Sequence, residues 1–366
     1  MPLDNPPPIV SARPTVRIDG MELPLLSAAI ERMRVREAIG LHASLELTLR
    51  DTLPRAGGGA GYGATSASPL RLGAAVKVYA GETATPREIF DGRITALEAE
   101  MGPHTTPLFT VLADDHLFAA RKTRRSRTFE AASPADVLRA IAGEHGLTAE
   151  IRAGLDAPVT DWAQVNETDL AFLRRVLSAV DADAQVVGRV VQAGPIGRDA
   201  RTTRELQFGR NLLRGRFTAD LAEQAREARV NGFDPLTGEA VLGSADDAAF
   251  AAGALGPGSG GTGAAALAGM GVGVRVDIGH RGAMSAEEAT LLARASYAAR
   301  ARRFLRADAT AQGDASLRVG SHVRIQGVNP RFENTYAVVE ATHRFDRESG
   351  YLTDFIGECA YLPGGT

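Results

Sequence analysis

Apolar and polar positions alternate along most of this chain and switch to a helical period in only a few places. The run from Ser316 to Leu362 shows the alternation best. Leu317, Val319, Val323 and Ile325 recur at even spacing around Gly320-Ser321, which predicts a strand with one buried face. Gly327-Val328-Asn329-Pro330 stops it. Across Thr335 to Arg344 the apolar set changes phase, from Tyr336 and Val338 to Val339 and Ala341, which predicts a bulge or burial on both faces. A charged loop, Asp346 to Gly350, then leads into a third strand carrying Tyr351, Thr353 and Phe355.

Similar patterns recur near the start. Pro14–Gly20 and Ile30–Glu37 read as short strands, and in Leu41 to Leu49 every odd position is apolar and every even one polar. Further strands are predicted at Leu72–Tyr79, Glu88–Glu98 and Leu108–Asp114, with a glycine-, alanine- and serine-rich loop at Gly57–Ser68. The period then becomes helical. Ser133-Pro134 supplies a cap and a first-turn proline for a helix with Val137, Leu138 and Ile141 on one face, stopped at Gly146. A second helix is expected from Asn166, capped there with Asp169 reaching back, with Leu170, Leu173, Val176, Leu177 and Val180 as its stripe; Gln185–Gln192 follows as a strand. Strand-like segments return over Glu205–Val241. A low-complexity tract, Ser244–Gly273, reads as a long loop, and Ser285, with Glu288 three residues on, starts an alanine-rich helix expected to reach Arg306.

Composition narrows the picture. A chain of 366 residues exceeds one ordinary core, so two or three domains are expected. No apolar run approaches the roughly 18 residues that span a bilayer, and Met1–Val10 has neither the basic nor the apolar part of a secretory signal, so the expectation is a soluble cytoplasmic chain. A net charge of −3 gives no general attraction to nucleic acid or anionic lipid. Only Lys77 and Lys122 are lysines; the other cations are arginines, which suit surfaces that become interfaces.

Candidate chemistry is sparse. Gly258-Ser259-Gly260-Gly261-Thr262-Gly263 spells the dinucleotide fingerprint but lacks its strand–helix context, so no cofactor is expected. His42, His104, His116, His145, His280, His322 and His343 have no metal-binding spacing, and the single Cys359 reads as a packed strand residue. Asp181 and Asp183 do not by themselves make an acid/base pair. No catalytic residue is assigned. The one concentrated charge is Arg121-Lys122-Thr123-Arg124-Arg125-Ser126-Arg127, with five cations in seven residues. It reads as a solvated loop or as an interface for an acidic partner surface or a conduit. Nucleic-acid binding is the weaker reading, because no aromatic platform is interleaved with it.

The C-terminal order Leu317-x-x-Gly320-x-x-Val323-x-Ile325-x-Gly327-Val328, then Thr335-Tyr336-x-Val338 with His343, then Gly350-Tyr351-x-Thr353-x-Phe355, resembles the last barrel of phage late-control D proteins and of VgrG hubs. Leu45-Glu46-Leu47-Thr48-Leu49-Arg50-Asp51 and the Phe90-Asp91-Gly92 strand are similar to their first barrel. Asn166-Glu167-Thr168-Asp169-Leu170-Ala171-Phe172-Leu173 resembles their middle helix, and Asp234-Pro235-Leu236-Thr237-Gly238 their turn. The resemblance runs from about Val16 to Tyr361 and is weaker at Gly57–Ser68 and Ser244–Arg281.

It implies a mainly β protein with an α+β insertion: a lead-in at 1–12, a first hub β-barrel at 13–115, an α/β middle domain at 116–200, and a second barrel split between 201–243 and 307–366 by a loop and long helix at 244–306. It further implies a baseplate hub of a contractile phage tail or injection system, a homotrimeric, quasi-sixfold ring adapting a sixfold tail tube to a threefold spike. The function is structural, with no enzyme activity, cofactor or metal. Expected partners are two further copies, a separate spike polypeptide, tail-tube and other baseplate proteins, and a tape-measure or cargo protein, with no nucleic acid and no membrane. The particle would be assembled in the bacterial cytoplasm. Arg121, Lys122, Arg124, Arg125 and Arg127 are the candidate interface residues. The alternatives are a barrel that binds nucleic acid or glycan, and a cell-wall hydrolase of a tail.

Overall fold

A computed structural model describes residues 13–40, 42–54, 60–62, 69–81, 86–103, 105–152, 154–279 and 283–364. The lead-in at 1–12, Leu41, most of the Gly57–Ser68 loop, His104, His280 and the side chain of His42 lie outside the described residues.

The fold is mainly β, and one sheet of thirteen strands runs through both ends of the chain. From one edge its path is Leu212–Ala219, Leu305–Gln312, Gly350–Cys359, Thr335–Asp346, Ile30–Ala38, His42–Arg50, Leu108–Asp115, Arg87–Glu100, Ala75–Ala80, Thr15–Ile18 and Met21–Glu22. His322–Gln326 branches from the first part of Thr335–Asp346 and carries Thr203–Gln207 on its other side.

The path contains one six-strand pattern twice. The first set runs Thr15–Ile18, Ala75–Ala80, Arg87–Glu100, Leu108–Asp115, His42–Arg50, Ile30–Ala38; the second runs Thr203–Gln207, His322–Gln326, Thr335–Asp346, Gly350–Cys359, Leu305–Gln312, Leu212–Ala219. Registers match as well as order. Ala75 opposes Arg93 and Val76 opposes Gly92; His322 opposes Ala337 and Val323 opposes Tyr336. Leu47 opposes Val111 and Thr48 opposes Thr110; Ala309 opposes Phe355 and Thr310 opposes Asp354.

Two bulges fall at the same places in both sets, while an irregularity between Val78 and Tyr79 is confined to the first. One lies between Ile94 and Ala96 in the first set and between Val338 and Glu340 in the second. Another lies between Ile30 and Arg32, and between Leu212 and Arg214. Gly73 N–H donates to Ile94 O at 2.8 Å just as Gly320 N–H donates to Val338 O at 2.9 Å, and both glycines hold a φ near +80° that a side chain would resist. The sequence carries the repeat: Leu70-Arg71-Leu72-Gly73-Ala74-Ala75-Val76-Lys77-Val78 aligns with Leu317-Arg318-Val319-Gly320-Ser321-His322-Val323-Arg324-Ile325. The outermost strand differs, antiparallel in the first set and parallel in the second. Neither set closes on itself among the described residues.

Side-chain alternation places the cores. Leu45, Leu47 and Leu49 are buried beneath the first set together with Val16, Ile18, Val76, Val78 and Val111. A second core gathers Leu317, Val323, Ile325, Tyr336, Val338 and Phe355. The phase change expected near Val339 is the bulge at that residue, and Tyr336 to Val339 are all buried.

The third core lies in the middle of the chain, around the helices Pro134–Glu144, Asp169–Ala179 and Ala286–Ala301. Ser133 and Asp136 cap the first of these reciprocally, an arrangement worth about 1 kcal/mol. The second begins later than expected. Asn166 lies inside the preceding strand with φ +50°, and Thr168 is the cap, its hydroxyl accepting from Ala171 N–H, because Asp169 is drawn into a buried polar cluster instead of reaching back. The single strand expected at Gln185–Gln192 is a hairpin, Ala182–Val187 with Val190–Pro195, reversed at Gly188.

Two expectations about 244–306 change. The low-complexity tract is structured through Asp247, whose carboxylate accepts from the Tyr297 hydroxyl at 2.6 Å and from Thr262, itself the cap of helix Gly263–Gly269. Gly258 and Gly260 pass so close to Cys359, Asn334 and the Leu362 carbonyl that a Cβ on either would collide with them, so the fingerprint spelling reflects packing. The long helix ends at Ala301 and Arg306 already lies in the next strand. Of 201–243, Thr203–Gln207 and Leu212–Ala219 join the large sheet. Glu227–Phe233 and Ala240–Ala245 form a separate sheet with Arg275–Ile278 against that helix.

Candidate assembly surfaces

The five cations predicted as an interface are largely engaged within the molecule. Arg121 pairs with Asp114 at 2.7 Å, and Lys122 lies 4.3 Å over the Phe118 ring. Arg124 donates to the Asn166 carbonyl at 2.7 Å. Arg127 reaches Glu144 at 2.6 Å, Asp169 at 3.0 Å and Gln164 at 2.8 Å, and Arg125 also pairs with Glu144. An aromatic platform is present after all, formed by Phe129 and Phe172 stacked at 5.5 Å with Arg127 over one ring and Arg175 over the other. Its faces are occupied by the protein's own guanidinium groups. Sequence spacing could not show this, because the neutralising acids come from the preceding strand and from two helices.

Asp169 is the centre of that cluster. It accepts from His145 and Gln164, both at 3.0 Å, and from Arg127. Burial pushes its carboxyl up, and the hydrogen bonds and the two arginines outweigh that, holding it below the usual carboxylate range. It ties both middle helices to the ribbon formed by Arg124–Ala132 and Thr160–Thr168.

A second buried polar cluster joins the two six-strand sets. Arg318, from the second, pairs with Glu37 of the first, and both side chains are nearly excluded from water. His343 lies fully buried beside them, its Nδ1 2.9 Å from the Tyr351 hydroxyl and 3.3 Å from that of Thr353. Burial and the adjacent Arg318 charge push the imidazole down to about 3, so the ring is neutral and serves as a core group bonded to neighbouring side chains.

Asp181 and Asp183 line a cleft of about 520 Å³ with Arg174, Arg302, Arg303 and Glu358. Asp181 forms a two-pronged pair with the buried Arg302. Asp183 accepts from Gly40 N–H at 2.7 Å, and burial pushes its carboxyl up to about 7, a shift held back by the backbone N–H groups of Gly40 and Ala184 and by the charges of Arg201 and Arg174. Both carboxylates thus brace the hairpin of Ile39–Gly40 and the end of the long helix. His116 pairs with Asp91 at 3.1 Å, and among the described residues no three His, Cys, Asp or Glu side chains come together as a metal site.

The outward features are strand edges. Leu212–Ala219 ends the large sheet; only Leu212 is buried, Phe217 is half-buried, and the rest of the strand is exposed. In Arg87–Glu100, the side away from Leu108–Asp115 is covered by Ala75–Ala80 as far as Arg93 and has no strand partner beyond Ile94 among the described residues. Glu98, Ala99 and Glu100 are exposed there. Sequence reasoning missed both edges, since an edge is a property of topology.

The family model of the Alg8 N-terminal domain matches residues 10–346. The chain belongs to that family. Its name differs from the late-control D and VgrG families that the sequence resembles. No curated protein matches the chain in sequence. Among solved structures, this Alg8 N-terminal domain family member is similar to the 43 kDa tail protein of prophage MuSo2 from Shewanella oneidensis, with a TM-score of 0.70 and 11% identity over 94% of this chain and 98% of that one. A tail protein from Neisseria meningitidis MC58 gives 0.64 at 11% identity, covering 95% and 96%. The E. coli c3393 protein, described as a component of the type VI secretion system with structural similarity to T4 tail proteins gp27 and gp5, gives 0.60 at 12% identity, covering 95% and 78%. At these identities the likeness establishes a shared fold. No described helix is long and apolar enough to cross a membrane.

Proposed function

We propose that the chain is a structural component of a phage-tail-like particle or contractile injection system, and within it the baseplate hub of the late-control D and VgrG type. The observation that carries this reading is the six-strand pattern repeated in one chain with matching register and bulges, on a fold shared with tail proteins. Two equivalent units per chain make three copies present six, which is what an adaptor between a sixfold tube and a threefold spike requires. In this reading each set completes a small barrel when neighbouring copies cover its edges. The working parts are then strand edges and rigid cores, and no bond is made or broken. The spike is a second polypeptide, tail-tube and baseplate proteins are the other partners, and the exposed Lys122 and Arg124 are what remains of the basic segment for them to meet.

Light scattering and electron microscopy of the purified chain, alone and with its spike, test this. A species near three times 38.5 kDa with an annular outline is expected. A monomer at every concentration and in every mixture overturns the reading.

A further inference from the structure

The internal repeat also specifies how one copy meets the next. Within the chain, the outer edge of Ile30–Ala38 is covered by Glu340–Asp346 of the second set. The two run antiparallel, with Thr342 opposite Arg36, His343 opposite Val35, Arg344 opposite Arg34 and Asp346 opposite Arg32. Ile39 N–H continues the contact to the bulged Val339 carbonyl at 3.0 Å, and Arg36 pairs with Glu340 at 2.9 Å. Each partner in this contact has a counterpart in the other set. The shared bulge and the pairing with the next strand match Arg32, Arg34, Val35 and Arg36 to Arg214, Arg216, Phe217 and Thr218. The bulge of the long strand matches Glu340, Thr342, His343 and Arg344 to Ala96, Glu98, Ala99 and Glu100. Both counterparts are the uncovered edges described above.

We infer that the edge of Leu212–Ala219 in one copy pairs antiparallel with the edge of Arg87–Glu100 beyond Ile94 in the next copy, in the register the chain already uses between its own two sets. Thr218 then faces Glu98, Phe217 faces Ala99, and Arg216 faces Glu100. Charge supports this assignment of occupant. The exposed acids Glu98 and Glu100 meet the exposed Arg214 and Arg216, an opposite-sign arrangement favourable across paired strands. Inside the chain the same register sets Arg34 opposite Arg344, whose charge is met by Asp354 at 2.7 Å and Asp346 at 3.7 Å. The two edges are different surfaces, so the contact is head-to-tail and propagates from copy to copy until it closes. This deepens the proposed function and rests on its premise that copies of the chain assemble.

The test is a cysteine pair in the full chain. Directly opposed residues in an antiparallel pair have Cα atoms about 4.5–5.5 Å apart, within the range a disulfide bridges. Glu98→Cys with Thr218→Cys is expected to give covalent multimers on a non-reducing gel after mild oxidation. Each single variant, and the off-register combination Glu98→Cys with Arg214→Cys, is expected to stay at the single-chain position. The native Cys359 is buried and does not compete. In a second arm, Arg214→Glu with Arg216→Glu, or Glu98→Arg with Glu100→Arg, weakens self-association at least about tenfold, and all four together restore most of it. If light scattering shows assembly but the in-register pair does not cross-link, or the off-register pair cross-links equally well, this pairing is wrong while the assembly reading stands. If the chain is a monomer throughout, both fall.

Discussion

The two six-strand sets share a backbone plan and distribute their side chains differently. Where the first set places Leu47 opposite Val111, the second places Ala309 opposite Phe355; Leu45 opposite Ala113 becomes Ala307 opposite Gly357. Gly357 is small because a Cβ there would press on Tyr336, and the residue matching Tyr336 in the first set is Gly92, whose own Cβ would meet Phe90. Bulk has moved from one strand to its neighbour while the space between sheet and core stays filled. Registers and bulges are therefore the conserved part of the repeat, and the identity of the large residue at each pair is negotiable as long as volume is kept. The sets also differ in what surrounds them: an edge of the first is covered within the chain, and the matching edge of the second is not.

The sharpest way to break the equivalence is at Arg318 and its counterpart Arg71. Arg318 is buried against Glu37, whereas Arg71 pairs with Asp19 at the surface, its side chain 64% exposed. Arg318→Met leaves Glu37 buried without its cation and is expected to cost about 3–5 kcal/mol in denaturant unfolding. Arg71→Met should cost less than about 1 kcal/mol, and replacing Glu37 and Arg318 together by Met should recover much of the loss. Equal effects at the two positions would mean that the buried pair does not join the sets.

Core exchange comes next. Ala309→Leu alone overpacks the second set and should cost about 1–3 kcal/mol. Adding Phe355→Val copies the pair found in the first set and should recover part of that, read as the midpoint of thermal unfolding. No recovery would show that volume is not shared across this pair.

The smallest effect is expected at Asp183, which braces the Ile39–Gly40 turn joining two strands of the first set. Its folded carboxyl lies near 7, above the ordinary 3.8, so the folded state holds a proton that the unfolded state has lost. Stability should therefore fall as pH rises from about 4 to about 7, with the full cost present above that. Asp183→Asn removes the titration and can still accept from Gly40 N–H. The variant should gain about 1 kcal/mol over the parent at pH 8, the linkage value being discounted because the side chain is only half-buried, and nothing below pH 4. A gain that does not vary with pH would place the effect elsewhere.

Much of the fold was legible because the physics is local. Strict alternation at Leu45, Leu47 and Leu49, the phase change at Val339, and the caps at Ser133 and Ser285 each depend on neighbours a few residues away. What failed depended on distant residues. Asn166 is a reasonable cap in isolation and lost to Thr168 once Asp169 was committed to His145 and Gln164. The Ser244–Gly273 tract has the composition of a loop and is ordered by Tyr297, beyond its own end. The repeat is spelled out by Leu70–Val78 and Leu317–Ile325, yet each stretch invites comparison with other proteins before comparison with the other. The candidate interface was the least legible part, since the charge of Arg121–Arg127 was plain and the acids that consume it were not.

The hairpin that joins the last two strands of each set shows how such a duplicated molecule acquires individuality. In the first set the chain reverses at Ile39–Gly40; in the second it leaves at Asp220 and returns at Phe304, where Asp220 N–H donates to Phe304 O at 3.0 Å. Everything between enters and exits through one closed doorway, and the ladder on either side continues as though the excursion were absent. A loop closed this way grows at a cost that rises only with the logarithm of its length. The stretch between Asp220 and Phe304 is therefore free to lengthen or be rebuilt at little cost to the paired strands that flank it.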